Sequence, residues 1–343
     1  MAIKVVRVGI IGAGANTRAK HIPGLKAIEG VEIAGVCNRT RESADRVAKE
    51  FGIPRIYDAW TALAAAPDLD AVVIGTWPYL HAPATIAALE AGKHVLCEAR
   101  MAASAAEART MFQTANRLPH LVAQVVPAPF TLSADRTIRR LLAEGFLGRI
   151  LAVEVRAGGA FVDHDAPLHW RQNADLSGVN IMSLGIWYES VMRWVGEAVN
   201  VTAAGKVIVP LRKDERGLLQ AVRIPDHLDV IADLACGAQA HFQISSVTGL
   251  AGPNEVFLFG SDGTLRFCED KLFGAKHGDK QLREIPIPAD ERGGWRVEEK
   301  FINAIRGREP VTHTTFRDGV KYMEFTEAVH QSMAEGKTVP LPL

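Results

Sequence analysis

The 343-residue chain is poor in cysteine, carries no net charge and contains no long apolar run. Its four cysteines, Cys37, Cys97, Cys236 and Cys268, lie far apart without a Cys-x-x-Cys pair. That spacing argues against a disulfide framework or a zinc motif and fits a reducing cytoplasm. Lys+Arg and Asp+Glu both number 39, and basic residues form no patch that nucleic acid or an anionic membrane surface could grip. No apolar stretch approaches the ~20 residues needed to cross a bilayer. The opening MAIKVVRVGIIGAGA embeds Lys4 and Arg7 in its apolar part and puts a glycine turn where a signal peptide would be cut. A cytoplasmic, soluble protein is expected, with no nucleic-acid or membrane partner. Repeats and low-complexity segments are absent too.

What is present is ample apolar material: 48% hydrophobic against 23% charged residues, enough for about two domains at roughly 150 residues each. Residues 5–11 read as a buried strand followed by a glycine-rich turn and a helical stretch. The pattern repeats with strands at 31–37, 71–76, 94–98 and about 121–126 and helical segments between them. Strands alternating with helices at this spacing predict a doubly wound parallel sheet over residues 1–124. From about residue 150 the strands alternate in polarity with period two: ILAVEVRAG, LDVIADLA, AQAHFQISSV and NEVFLFG-SDG-TLRF, the last a hairpin. Residues 125–343 are therefore expected to form an α+β domain on a large, mostly antiparallel open sheet, closed by a helix at 317–335. AQAHFQISSV and NEVFLFG place apolar residues on both faces, which predicts a homodimer or homotetramer joined through this sheet.

The first turn, Gly12-Ala13-Gly14-Ala15-Asn16-Thr17, sits between strand and helix as a dinucleotide site requires. Gly12 permits the tight turn, Gly14 allows close approach of a pyrophosphate, and the backbone near Ala15 and Asn16 supplies the N–H groups of a helix start. The second strand ends in Asn38-Arg39-Thr40, without the carboxylate that usually holds the adenosine ribose. An arginine and a threonine at that place favour NADP, with NAD as the alternative.

These stretches resemble the Gfo/Idh/MocA family of glucose–fructose oxidoreductases and inositol dehydrogenases over most of the chain. The carriers are GIIGAGANTRAKHIPGL, with His21-Ile22-Pro23 as the family's His-x-Pro, TWPYLHAPATIAALEAGKHVLCEA, and EAVHQSMAEGKTVPLPL. The resemblance implies a Rossmann domain followed by a sheet domain, and NAD(P)-linked oxidation or reduction of sugar-like alcohols. It places Thr76, Trp77 and Pro78 on the nicotinamide side, with His81 and Glu98 at the cofactor's edge. Departures are equally plain. The family's Glu-Lys-Pro is Glu98-Ala99-Arg100, its glycine motif ends in Ser183 and Trp187 in place of Asp and His, and its Asn-x-Arg reads Pro127-Ala128-Pro129.

A hydride transfer from an alcohol needs a group to accept the hydroxyl proton, and Ala99, Ser183 and Trp187 cannot serve. The candidates are Tyr188, His164 and His169. Arg100, Trp170, Arg171, Asn180 and Trp187 are expected to contact substrate. The Asp163-His164-Asp165 loop is assigned to hydrogen bonding and not to a metal site. The sequence thus points to an NAD(P)-dependent oxidoreductase of a sugar-like or polyol substrate with a relocated acid/base residue. The alternatives are a lyase, hydratase or glycosidase that keeps its nucleotide bound, and a nucleotide-binding protein without turnover.

Overall fold

The computed structural model describes residues 5–343. The chain forms two compact units. The first comprises the residues through Pro127 together with Arg296–Val320, and the second comprises Ala128–Trp295 with Lys321–Leu343.

In the first unit five parallel strands, β1 (Val6–Ile11), β2 (Val31–Cys37), β3 (Ala71–Ile74), β4 (His94–Cys97) and β5 (Ala123–Val125), are ordered β2-β1-β3-β4-β5. All four residues of β3 are buried, as expected of a parallel sheet covered on both faces. The chain leaves β1 towards β2 on one side and returns as β3 on the other. This makes the carboxyl ends of β1, β2 and β3 the topological switch point where a ligand crevice opens. The β2 end is fixed by Thr40, whose hydroxyl accepts from the Ser43 N–H at 3.2 Å and caps the helix Arg41–Phe51.

The helical stretch predicted after the glycine turn is not one regular helix. Thr17–His21 form a π-helical turn before the α-helix Ile22–Lys26. Pro23 has no N–H for an i−4 bond, and the wider turn carries the chain past it, with the Ile22 N–H donating to the Thr17 carbonyl. The segment Arg296–Val320 packs with this unit through the helix Val297–Ile305, which meets Ile22–Lys26. Its continuation pairs with the edge of β5: the Val125 N–H donates to Thr314 O at 3.0 Å and the Thr314 N–H to Val125 O at 3.2 Å. A three-residue edge strand thereby gains partners for backbone groups it would otherwise leave open.

The second unit is built on a nine-stranded sheet. Its order is Arg283–Ile285, Lys271–Lys276, Gly263–Cys268, Glu255–Gly260, Ile150–Ala157, Gln239–Ser245, His227–Leu234, Ala198–Lys206 and Val339–Pro340. All neighbours are antiparallel except Gln239–Ser245 on Ile150–Ala157. One face of the middle strands is apolar, with Val153, Val155, Leu228, Val230, Ala240, Phe242, Val256 and Leu258 buried. The opposite face differs from the expectation for AQAHFQISSV. There His241 lies 3.1 Å from Asp229, which His227 approaches at the same distance, and Gln243 also donates to Asp229. On Glu255–Gly260 that face is mixed: Phe257 and Phe259 stack with centroids 5.4 Å apart, and Glu255 pairs with Arg156 and Arg266. Among the described residues no helix is long and apolar enough to cross a membrane.

Candidate cofactor and substrate sites

A cleft of about 570 Å³ opens at the switch point of the first unit. Gly12, Ala13, Gly14, Asn38, Arg39, Ser43, Asp58, Thr76, Trp77 and Tyr79 are among the residues that line it. Gly12 has φ +85°, and a Cβ there would meet Thr76 Cγ2 at 2.5 Å and Thr76 N at 2.8 Å. The turn is thus pressed against the chain after β3. Gly14, Ala15 and Asn16 are exposed at the start of the helical turn, where the first N–H groups have no partner within the helix. An exposed glycine turn at a helix start, facing a cleft of this size, fits a dinucleotide.

At the β2 end, Asn38 secures the turn itself. Its Oδ1 accepts from the Ala13 N–H at 2.7 Å and its Nδ2 donates to Ser43 Oγ at 2.9 Å. The Arg39 guanidinium lies 5.3 Å from the Trp77 ring centroid, so both side chains share the cleft wall. Thr40 is absorbed as the helix cap and does not line the cleft. Ser43, Asp58, Trp60 and Tyr79 are lining residues that sequence reasoning missed. Asp58 follows Ile56, which bridges to Val36 of β2, and its carboxylate pairs with Arg41 at 2.8 Å. The only sequence signal was the short β-branched and aromatic run RIYDAW.

Pro78, expected on the nicotinamide side, and His81 and Glu98, expected at the cofactor's edge, act as supports. Pro78 is buried in the 3₁₀ turn Pro78–Leu80. His81 is fully buried, with Nδ1 2.8 Å from Arg100 O and Nε2 3.0 Å from Thr76 O. Burial pushes its pKa down, outweighing those carbonyls, so the neutral ring donates to one of them and tethers the chain around Thr76 and Arg100. Glu98 does not line the cleft. Its Oε1 accepts from Asn16 Nδ2 and from His21 Nε2, the latter at 2.9 Å, and its Oε2 accepts from the Ala99 N–H at 2.9 Å. Arg100 is itself buried at 3% exposure, inside the first unit and away from solvent.

In the second unit, the largest departure from expectation concerns Tyr188. It lies on the helix Leu184–Val195, ten of whose twelve residues are buried. Its ring stacks on Phe325 with centroids 3.6 Å apart and planes 2° apart, and its hydroxyl accepts from the Ala198 N–H at 2.9 Å. Burial pushes the phenol's pKa far up. Tyr188 is a core side chain with a capped hydroxyl, and its assignment as proton carrier is withdrawn.

His164 is exposed in an irregular segment. The Asp163 carboxylate accepts from the N–H groups of Asp165 and Ala166, and Arg212 donates to the carbonyls of Asp163 and Ala166, which holds His164 outward on a fixed loop. His169 caps the 3₁₀ turn Trp170–Gln172, its Nδ1 accepting from the Arg171 N–H at 3.2 Å. Partial burial, and then the Arg171 charge, lower its pKa. It is therefore neutral near pH 7, with its proton on Nε2. Arg171 stacks over Trp170 at 4.2 Å. Among the described residues no group of three or more His, Cys, Asp or Glu is arranged to hold a metal ion.

Asn180 is buried and donates to Ser177 O at 2.6 Å, closing the turn before the helix. One N–H of its amide thus serves the fold. Trp187 lines a second cavity of about 510 Å³ with Pro129, Phe130, Asn254, Glu269 and Asp270 among its walls. Phe130 lies 5.2 Å from the Trp187 ring, and among the described residues the indole N–H has no hydrogen-bond partner. An apolar ring pair beside two carboxylates suits a ligand with both C–H faces and hydroxyl donors.

Residues 6–125 match the oxidoreductase family with NAD-binding Rossmann fold, and residues 136–266 match the Gfo/Idh/MocA C-terminal domain. An uncharacterized oxidoreductase of Rhizobium meliloti is 30% identical over 192 residues, so the chain matches 56% of that relative's length and 56% of its own. The trans-1,2-dihydrobenzene-1,2-diol dehydrogenase of Mus musculus is 26% identical over 263 residues, covering 75% of this chain and 73% of that one. Among solved structures, a levoglucosan dehydrogenase in complex with NADH and L-sorbose superposes with a TM-score of 0.87 at 23% identity, over 98% of this chain and 99% of that one. At that identity the likeness establishes the fold.

Proposed function

The chain belongs to the Gfo/Idh/MocA family of NAD(P)-dependent oxidoreductases, and from that premise we propose that it oxidises or reduces a sugar-like or polyol substrate with NADP(H) preferred over NAD(H). The observation that carries the reading is the cleft at the switch point, walled by the Gly12–Gly14 turn on one side and Thr76–Trp77 on the other. The diol and anhydrosugar named for the relatives above are compatible in kind, since each offers a secondary alcohol. When bound, the nicotinamide takes or gives the hydride. The chain's own part is to hold the pyrophosphate at the backbone of Gly14–Asn16, to seat the adenosine ribose between Asn38 and Arg39, and to wall the nicotinamide end with Thr76 and Trp77.

The NADP preference rests on Arg39. Asn38 offers no carboxylate to repel a 2′-phosphate, and the nearby Asp58 carboxylate is occupied by Arg41. Arg39→Ala is expected to weaken NADPH binding about 10- to 100-fold, the worth of a charge-assisted hydrogen bond, and to leave NADH nearly untouched. Calorimetric titration with both nucleotides decides; equal losses, or tighter NADH binding in the parent, overturn the preference.

With Tyr188 in the core, proton transfer falls to His164 or His169. His164→Asn and His169→Asn, made singly, should lower turnover by about 10²- to 10⁴-fold for the true carrier while nucleotide affinity stays within a few-fold. The screen follows nicotinamide absorbance with sugars, inositols and sugar acids. Products formed with no net absorbance change would replace this reading by non-redox chemistry with retained nucleotide. We also propose a homodimer or homotetramer joined through the second unit's open sheet face, where Phe257 and Phe259 are only partly covered. Light scattering showing a monomer at micromolar concentration removes that proposal.

A further inference from the structure

We propose that His21 is a positioning residue, a buried cation clamped between Glu98 and Glu298 that neutralises carboxylate charge beneath the glycine turn and fixes Asn16 for an anionic nucleotide. The inference rests on the cofactor reading above and deepens it. His21 lies in the π-helical turn just past Gly12–Asn16 and has no exposed surface. Its Nδ1 is 2.5 Å from Glu298 Oε1 and its Nε2 is 2.9 Å from Glu98 Oε1. With both carboxylates ionised their oxygens only accept, and both ring nitrogens then carry a proton. The Glu98 oxygen that meets His21 is also the one that meets Asn16 Nδ2, while its other oxygen accepts from Ala99. One carboxylate thus ties the glycine turn to the loop after β4.

The site is built for the second carboxylate as well. A Cβ at Gly24 would fall 2.7 Å from Glu298 Oε2 and 2.9 Å from its Cδ, so glycine there makes the room that Glu298 occupies. With the proton in place the three side chains sum to one negative charge; without it they sum to two, directly under a turn that receives a pyrophosphate. Removing one partner of a buried pair leaves an uncompensated charge, which is the costly case.

Among the charged groups meeting the ring are Glu98 from the end of β4 and Glu298 from the helix Val297–Ile305. Arg18 and Lys20 on its own turn are exposed, and His81, which Glu98 also influences, is held neutral by burial. Burial alone would lower the His21 pKa, but the hydrogen bonds to Glu298 and Glu98 outweigh it and raise it to about 9. Burial opposes the Glu98 charge too, and His21 together with the hydrogen bonds from Asn16 and Ala99 outweighs it, so Glu98 titrates below its ordinary value. A raised imidazole contributes fully below its unfolded value near 6.5 and loses its contribution as pH rises through about 9.

The test measures NADH and NADPH affinity of the full chain by calorimetry from pH 7 to 10, in the parent and in Glu298→Gln. That variant keeps the acceptor oxygen, removes the charge and lies outside the cleft lining. The parent should bind at near-constant affinity to about pH 8 and weaken by up to about 10-fold by pH 10, the most that a single linked proton titrating near 9 allows. In Glu298→Gln the midpoint should fall by at least about one pH unit relative to the parent. Ring-nitrogen NMR of His21 should show both nitrogens protonated at pH 7.5. Superimposable pH profiles in a folded variant, or a neutral His21 ring at that pH, overturn the proposal. If neither nucleotide binds at pH 7, the cofactor reading fails instead. The NMR signature and the pH dependence of thermal unfolding, which need no nucleotide, then still decide whether the clamp exists.

Discussion

Gly12→Ala is expected to lose nucleotide binding by at least about 100-fold and to destabilise the first unit by about 2–5 kcal/mol. Two costs add. The residue has φ +85°, where an L side chain costs roughly 1–2 kcal/mol, and the new methyl would sit 2.8 Å from Thr76 N and 2.9 Å from Gly75 C. Backbone cannot swing aside as a side chain can, so overpacking adds roughly 1–3 kcal/mol. Relief can come only by pushing the turn away from Thr76, which moves the N–H groups at Gly14–Asn16 out of line with the cleft. Affinity therefore falls by more than the stability loss alone predicts. Calorimetric titration and thermal unfolding, run side by side, check both parts. A variant that binds NADPH like the parent would show that the turn does not hold the nucleotide.

Tyr188 should behave as a packing residue with a useful hydroxyl. Tyr188→Ala removes a ring that is 2% exposed and stacked on Phe325, near Phe242, and truncations of this kind cost about 3–5 kcal/mol. Tyr188→Phe keeps the stack and loses only the acceptor for the Ala198 N–H, a cost of about 1–3 kcal/mol because the donor is left buried. Turnover of Tyr188→Phe at a temperature where it is folded should match the parent. The contrast separates packing from chemistry, since a proton carrier would lose about 10²- to 10⁴-fold on loss of its hydroxyl. A drop of that size in folded Tyr188→Phe would return Tyr188 to the catalytic candidates.

Local pattern determined the architecture. The all-apolar β3, the alternation in Ile150–Ala157 and His227–Leu234, and the glycine turn between strand and helix each depend on residues a few positions apart, so period and composition carry them. The glycine turn, with Asn38 and Arg39 at the next strand end, was legible for the same reason: strand ends of a parallel sheet converge at the switch point. Which polar groups face a ligand was not legible, because that depends on neighbours distant in sequence. His21 read only as part of a His-x-Pro motif, yet its character comes from Glu298, 277 residues away. Thr40 and Glu98 have the chemistry of cofactor contacts, but one is taken by a helix cap and the other by Asn16, His21 and Ala99. Tyr188 has the chemistry of a proton carrier, but packing against Phe325, a long-range contact no periodicity records, makes it core. Sequence sets which elements form and where their ends meet. Tertiary packing decides which side chains remain open to do chemistry, because every buried donor, acceptor and charge must first find its own partner.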